Sequence, residues 1–380
     1  MRKYIFALFL GLLGILLLRN KHKNFEDSII HRTLRGVEFG PYDNDKRLHI
    51  IVGIDYISHE LIEIFEDISG VEVIVDIFDS NEILEAKLLA GGVKYDIVFP
   101  TAWPHFARQL KAGIYQKLDK ERLDMSIFDG DILRRLAEYD EDNNCAVPFQ
   151  FGISGIGINE KLVEQLVGSV AKDTLALIFD PDNAQKLSKH RISIYESSDE
   201  LFPALLAYLG RNPESEEEED IIKAAEHLRK IRPHIAKFTS FGFEDLACGN
   251  ACVVLSTSGD VLKIKKDNNN PNIKFFYPKE GASLWVDVAA IPANAKHINN
   301  IYAFFKFLFH PMVIAEITNI TSRANAVIKA TKYVNEDLKN DPNIYPNANI
   351  RKKCYIEKPL PPRLEMLKTR LLSKIKSMSN

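Results

Sequence analysis

The spacing of apolar and polar residues changes from one short segment to the next. Leu48 to Val52 is apolar apart from His49, a run that predicts a buried strand. Leu61, Ile62, Ile64, Phe65 and Ile68 then recur at helical spacing, with Ser58 placed to cap the helix start and Gly70 its end. Val71 to Phe78 is rich in β-formers, Asp79 to Leu89 reads as a helix stopped by Gly91-Gly92, and Tyr95 to Phe99 is a third strand ended by Pro100. Strand–helix–strand–helix–strand with short links predicts a parallel α/β sheet. Ligands of such sheets sit beyond the carboxyl ends of the strands. That singles out three loops: Gly53-Ile54-Asp55-Tyr56, Asp79-Ser80-Asn81 and Thr101-Ala102-Trp103.

The middle of the chain repeats the theme with different residues. Ala146 to Ile158 is apolar and Gly-rich, a crossover into a second lobe. Ile192 to Tyr195 reads as a strand ending in Glu196-Ser197-Ser198-Asp199-Glu200, and Leu201 to Leu209 as a helix stopped by Gly210. The acidic run Glu214 to Asp220 suits a helix start, where the dipole favours negative charge. Ala251 to Leu255 is a strand followed by Ser256-Thr257-Ser258-Gly259-Asp260, and Trp285 to Ile291 is a strand that recrosses to the first lobe. Ile301 to Phe309 is an apolar helix, and Arg363 to Lys376 an amphipathic basic one. No internal repeat of 20–50 residues is present.

The first residues follow none of these patterns. Arg2 and Lys3 precede a run from Tyr4 to Leu18 that is uncharged and almost wholly apolar. Its length suits a secretory signal better than a full membrane span, which needs roughly 20 residues. No small-residue cleavage site follows Leu18 and no cysteine stands near residue 20. Residues 1–24 are therefore read as a signal peptide or a retained signal anchor, the only membrane contact expected, and 25–46 as a linker. Of 49 Lys/Arg, five lie in residues 1–24, which leaves the exported body with 44 basic groups against 52 acidic. A mildly acidic body argues against nucleic acid, whose phosphates demand a basic surface. It is compatible with a cationic ligand.

Enzyme signatures are missing: there is no G-x-S-x-G, H-E-x-x-H, P-loop or G-x-G-x-x-G. The four cysteines, Cys145, Cys248, Cys252 and Cys354, lack metal-ligand spacing and read as buried or disulfide-paired. No metal and no cofactor is expected. What remains is a set of acidic and aromatic residues at predicted strand ends: Asp55, Tyr56, Glu200, Asp260, Trp285 and Asp287. A buried ammonium needs carboxylates, and aromatic faces add cation–π attraction. Such a lining suits ammonium groups separated by methylenes.

These segments resemble bacterial putrescine/spermidine-binding proteins, the periplasmic components of polyamine ABC importers. The resemblance runs from about Leu48 to Lys376. Its most specific stretches are Phe78-Asp79-Ser80-Asn81-Glu82, Tyr95-Asp96-Ile97-Val98, Gln116-Lys117-Leu118-Asp119-Lys120, Pro278-Lys279-Glu280-Gly281-Ala282, Ile291-Pro292-Ala293-Asn294-Ala295-Lys296 and Asn340-Asp341-Pro342-Asn343-Ile344-Tyr345-Pro346. The resemblance implies a type II periplasmic-binding-protein fold: two α/β lobes joined by crossover strands, closing on a ligand by hinge motion. On this reading residues 47–150 with 287–322 form lobe 1, and 151–286 with 323–380 form lobe 2. It further implies a monomer in the periplasm, partnered by a membrane permease and a cytoplasmic ATPase.

The resemblance also assigns roles. Asp55 and Tyr56 match an acid and a tyrosine at the cleft, Thr101 a serine after the proline, and Glu200, Asp260 and Asp287 carboxylates that hold ammonium groups. Trp285 matches an aromatic wall. Three positions depart from the family pattern: Gly53-Ile54 stands for Trp-Ser, Thr257 for a tryptophan, and Arg323 for a tyrosine. Ser80 and Trp103 are further candidate walls, Trp103 as a source of replacement aromatic surface. Arg323 opens an alternative, a ligand bearing both charges, such as a basic amino acid or carboxylated polyamine. Two further alternatives are an enzyme on the same fold with Cys145 as nucleophile and a membrane-anchored ligand sensor.

Overall fold

The computed structural model describes residues 28–91, 94–168 and 171–378. The export reading of residues 1–24 lies outside them. The linker reading of 25–46 is corrected from residue 28 on. Helix α1 (Ile29–Leu34) buries His31 and Leu34, Phe39 meets Phe307 edge to face at 5.8 Å, and Asp43 accepts the backbone N–H groups of Asn299 and Asn300 at 2.9 and 3.1 Å. The segment's polar composition reflects a carboxylate that caps another helix.

Strand β1 (Arg47–Gly53) pairs in parallel with β2 (Glu72–Phe78), Gly53 opposite Phe78, and with β3 (Ile97–Val98), Ile50 opposite Ile97. Between them lie helices α2 (His59–Ser69) and α3 (Asn81–Ala90). Ser58 Oγ accepts from Leu61 N at 3.3 Å, and Gly70 closes α2 with a φ of 66°, a conformation that favours glycine. The predicted parallel trio is present. Its neighbour is antiparallel: β9 (Ala282–Ala290) pairs with β3 at Val98–Ala290.

The long strand β4 (Ala146–Asn159) is the crossover. Up to Ile153 it pairs with β9; from Ser154 it pairs with β7 (Val253–Thr257), and β8 (Ile273–Phe276) joins its far end. Beyond β7 come β5 (Ile192–Ile194) and β6 (Lys237–Phe238), both in parallel, so the path is β2-β1-β3-β9-β4-β7-β5-β6. The buried apolar residues follow the same division. Phe149, Phe151 and Ile153 belong to one core with β1, β2, β3 and β9; Ile156 and Ile158 belong to a second with β5, Val253 and Leu255. Gly155 allows the switch, since a Cβ there would stand 2.5 Å from the Phe275 ring and 2.7 Å from the Phe276 carbonyl.

Two sequence readings shift. Both Ala282 and Leu284 already sit in the first core, so the return crossing falls before β9 and not within Trp285 to Ile291. Residues 324–354, grouped above with lobe 2, pack in the first core through Ala324, Val327, Ala330 and Cys354. The cause is pairing: β10 (Ala324–Asn325) adds to β4 at Phe151 and Gln150, and β11 (Cys354–Tyr355) to β9 at Ala282 and Ser283. In the second core, helices α4 (Ser198–Tyr208), α5 (Glu218–Ile231) and α9 (Pro362–Lys376) pack together, α9 through Leu364, Leu367, Leu372 and Ile375. Helix α6 (Ser258–Asp267) follows β7; helices α7 (Ile298–Leu308) and α8 (Pro311–Thr321) cover the first core.

Phe65 on α2 is fully buried, with Phe304 and Phe307 at 5.0 and 5.2 Å. Phe65→Ala leaves a cavity that helices α2 and α7 fill only in part, so a loss of about 3–5 kcal/mol is expected. Urea unfolding followed by circular dichroism measures it; an unchanged midpoint would contradict the packing described.

Candidate functional site

Four elements from the two cores converge beside the crossover. Asp287 on β9 lies opposite Gln150 of β4 and is buried. Its oxygens accept from Tyr56 Oη and Thr101 Oγ1, each at 2.7 Å. Burial pushes its carboxyl above the ordinary range, while the Tyr56 bond, Arg323 and Thr101 pull the other way. Burial and the neighbouring Asp287 charge hold Tyr56 protonated, as a donor must be. Thr101 is fixed in turn by Asn81, whose side chain donates to Thr101 Oγ1 and accepts from Thr101 N, both at 3.0 Å. Gly53 is needed beneath Tyr56, because a Cβ there would stand 2.6 Å from the ring.

In the second cluster the acid stands in a first helical turn and not on a strand end. Asp260 lies in the first turn of α6, where Thr257 caps the helix and donates to Asp260 Oδ2 at 2.8 Å. Its other oxygen takes a 2.9 Å ion pair from Arg323. Arg323 follows the C-cap of α8 and precedes β10. Its guanidinium lies over the Tyr56 ring at 5.1 Å and the Trp285 ring at 6.0 Å. Asp260, Tyr56 and Asp287 together raise its pKa against the effect of burial. Gly259 makes room for it, as a Cβ there would be 2.7 Å from Arg323 Cγ. The residue that stands where a tyrosine was expected thus turns inward and supplies the cleft with its own cation.

Trp285 lies against Gly152, where a Cβ would fall 2.3 Å from the indole, and its Nε1 is buried without a hydrogen-bond partner. Trp103 stacks on Tyr139 at 5.9 Å. Trp103, Trp285, Thr101 and Tyr139 line a narrow crevice whose remaining wall includes Ser283 and Glu357. Glu200 is in the first turn of α4. Burial, with Asp199 and Glu82 nearby, pushes it up to about 7; burial, then Glu200, pushes Glu357 to about 8. Neither forms an ion pair among the described residues.

Three candidates stand apart. Asp55 is exposed and paired at 3.0 Å with Lys263 of α6, across the mouth of the cleft. Ile54 is 53% exposed. Ser80 spends its hydroxyl as the cap of α3, accepting from Ile83 N at 3.4 Å. Asn81, Tyr139 and Glu357 were missed. Asn81 stood in a loop already singled out; Glu357 reaches the site only through the two-residue pairing of β11, which leaves no periodic signal. The cysteine reading loses support: Cys145 is buried, and burial with Asp140 nearby raises its thiol, the opposite of activation. Among the described residues no group of three or more His, Cys, Asp or Glu is placed to hold a metal ion.

Two α/β lobes sharing a long strand, with acids and aromatics at their junction, define a type II solute-binding protein, a carrier that works by capture. Residues 60–346 match the family described as bacterial extracellular solute-binding protein, and the chain belongs to that family. It is 38% identical over 364 residues to the putrescine-binding periplasmic protein of Pseudomonas aeruginosa, covering 93% of this chain and 99% of that one. It is 36% identical over 365 residues to the putrescine-binding periplasmic protein of Escherichia coli, covering 94% and 98%. The spermidine/putrescine ABC transporter substrate-binding protein of Streptococcus pneumoniae superposes with a TM-score of 0.76 at 23% identity, covering 87% of this chain and 98% of that one, a likeness of fold. The family is extracytoplasmic and serves ABC-type transporters, so membership implies permease and ATPase partners.

Glu200 and Glu357 bind a proton more tightly folded than unfolded. Their contribution to stability is fully present below the unfolded value of 4.5 and is lost as pH rises through about 7 and 8. The double variant Glu200→Gln/Glu357→Gln is therefore expected to match the parent's melting temperature near pH 4.5 and exceed it by several degrees near about pH 9. A difference that is the same at both ends would contradict the half-buried, unpaired state.

Proposed function

We propose that this chain captures a polyamine, putrescine- or spermidine-like, in the periplasm and hands it to an inner-membrane ABC importer, the N-terminal segment serving as cleaved signal or retained anchor. The carrying observation is Glu357, a carboxylate with no ion pair among the described residues, on the wall of the crevice lined by Trp103 and Trp285, with Glu200 near enough to raise its pKa. Asp287 extends the acidic lining toward the first core. Carboxylates fix the ammonium ends and the indole faces pack on the methylenes. The names of the two bacterial relatives described above support the same ligand class. Asp260 acts here through Arg323: it neutralises a cation that would otherwise repel an ammonium.

A second reading has its own observation. Only one guanidinium nitrogen of Arg323 donates to Asp260, and the other two donate to no acceptor among the described residues. That guanidinium edge fits a ligand carboxylate, which favours a basic amino acid or carboxylated polyamine.

Calorimetric titration of protein lacking residues 1–24 with putrescine and spermidine is expected to give saturable heat; silence at millimolar ligand removes the polyamine reading. Asp260→Asn is expected to weaken diamine binding by about tenfold or more, since it frees the Arg323 charge; an unchanged affinity means that Asp260 has no such role. Arg323→Ala separates the two readings. Diamine binding should hold or improve in the variant, whereas parent binding of lysine or a carboxylated polyamine that the variant loses would favour the zwitterion.

A further inference from the structure

Helix α6 belongs to the second lobe but also touches the first. Its Val261 and Ile264 are buried with Val254 of β7 and with Ile273 and Phe275 of β8. Leu262, half-buried, packs against the first core instead. Asp260 and Lys263 leave α6 three residues apart, on one side of the helix. Each meets an opposite charge from the first lobe, Arg323 at 2.9 Å and Asp55 at 3.0 Å. The backbones come close as well, since a Cβ on Gly259 would stand 3.1 Å from the Ser322 carbonyl oxygen. Just beyond β8, the Tyr277 hydroxyl donates to the carbonyl of Pro342.

The two ion pairs differ in how they are held. Asp55 is exposed, and an exposed pair adds little. Arg323 is fixed by more than charge. Its backbone N–H donates to Thr321 Oγ1 at 3.2 Å, and that hydroxyl accepts from Gln150 Nε2 of β4 at 3.0 Å. Its guanidinium lies over the Tyr56 and Trp285 rings. The arginine is thus planted on first-lobe groups and gives only one nitrogen to the second lobe. Little space is left between the lobes: the crevice lined by Thr101, Trp103, Trp285 and Glu357 has a free volume of about 20 Å³, room for a water and not for an alkyl chain.

We propose that Arg323 is an internal latch: planted on the first lobe, it holds Asp260, and with it helix α6, across the cleft and keeps the two lobes shut on each other before any solute is bound. Entry of a solute then requires the Arg323–Asp260 pair to part. Protein held in this form is withdrawn from capture, which lowers the apparent affinity by the fraction so held. Such a latch works whatever solute the cleft takes, and every group in it belongs to this chain.

Small-angle X-ray scattering of the protein without residues 1–24, with no amine added, tests the latch. The parent is expected to give the scattering curve calculated from the closed arrangement described above, and Arg323→Ala a larger radius of gyration. Asp260→Asn weakens the same pair from the other lobe and is expected to shift the radius in the same direction, which keeps the test open where Arg323→Ala fails to fold. Asp55→Asn, which loses only the exposed pair, is expected to leave the radius unchanged. A parent that is already extended overturns the proposal by itself, as do Arg323 and Asp260 variants that stay as compact as the parent. An expansion in Asp55→Asn as large as that in Arg323→Ala overturns it too, because the exposed pair would then be what holds the lobes. No amine is used, so the outcome is separate from that of the titrations.

Discussion

The 2.9 Å contact between Asp260 and Arg323 governs how the cleft is arranged. Acids from both lobes meet there, and bringing them out of water together without positive charge would be costly. The chain answers with a single arginine, fixed after the left-handed residue Ser322, given space by Gly259 and flattened between Tyr56 and Trp285. Asp287 then needs only neutral donors, Tyr56 and Thr101, and Asn81 orders the threonine. Glu200 and Glu357 are left without an ion pair among the described residues, so one side of the cleft is balanced internally and the other is not.

Much of this order was legible in the sequence. The strand–helix alternation of residues 48–99 came through because buried parallel strands are continuous apolar runs and their helices carry caps at Ser58 and Gly70. The crossover at 146–158 was legible for the same reason. Tyr56, Thr101, Asp260, Trp285, Asp287 and Arg323 do come together. Asp55 and Ser80 were read into the cleft because they sit in the right loops, but a loop residue is free to face water, and both do other work. Glu357 and the first-core placement of 324–354 were not legible. Each depends on a two-residue strand whose partner lies far away in sequence, and so short a pairing imposes no pattern on composition.

The two cores are joined by a strand that never stops being a strand. Between Ile153 and Ile156 β4 passes from one apolar cluster to the other while keeping a hydrogen-bonded neighbour on each side, β9 before and β7 after. The lobes are thus linked by a continuous ladder, by the turn ahead of β9 and by the segment 356–361 between β11 and α9. The glycines at 152 and 155 leave those two positions without side chains, and the rings of Trp285 and Phe275 take the vacated space.

Asp55 and Lys263 meet in water at the mouth, whereas Asp260 and Arg323 meet inside. Dissolved ions shield the first pair and scarcely touch the second. The lobes are accordingly bridged by one contact that the surrounding medium can loosen and one that it loosens far less. In a dilute environment the rim bridge is stronger; in a briny one it weakens, with the interior pair little changed. The strength of the outer tie between the lobes is thus a property of the solution as well as of the protein.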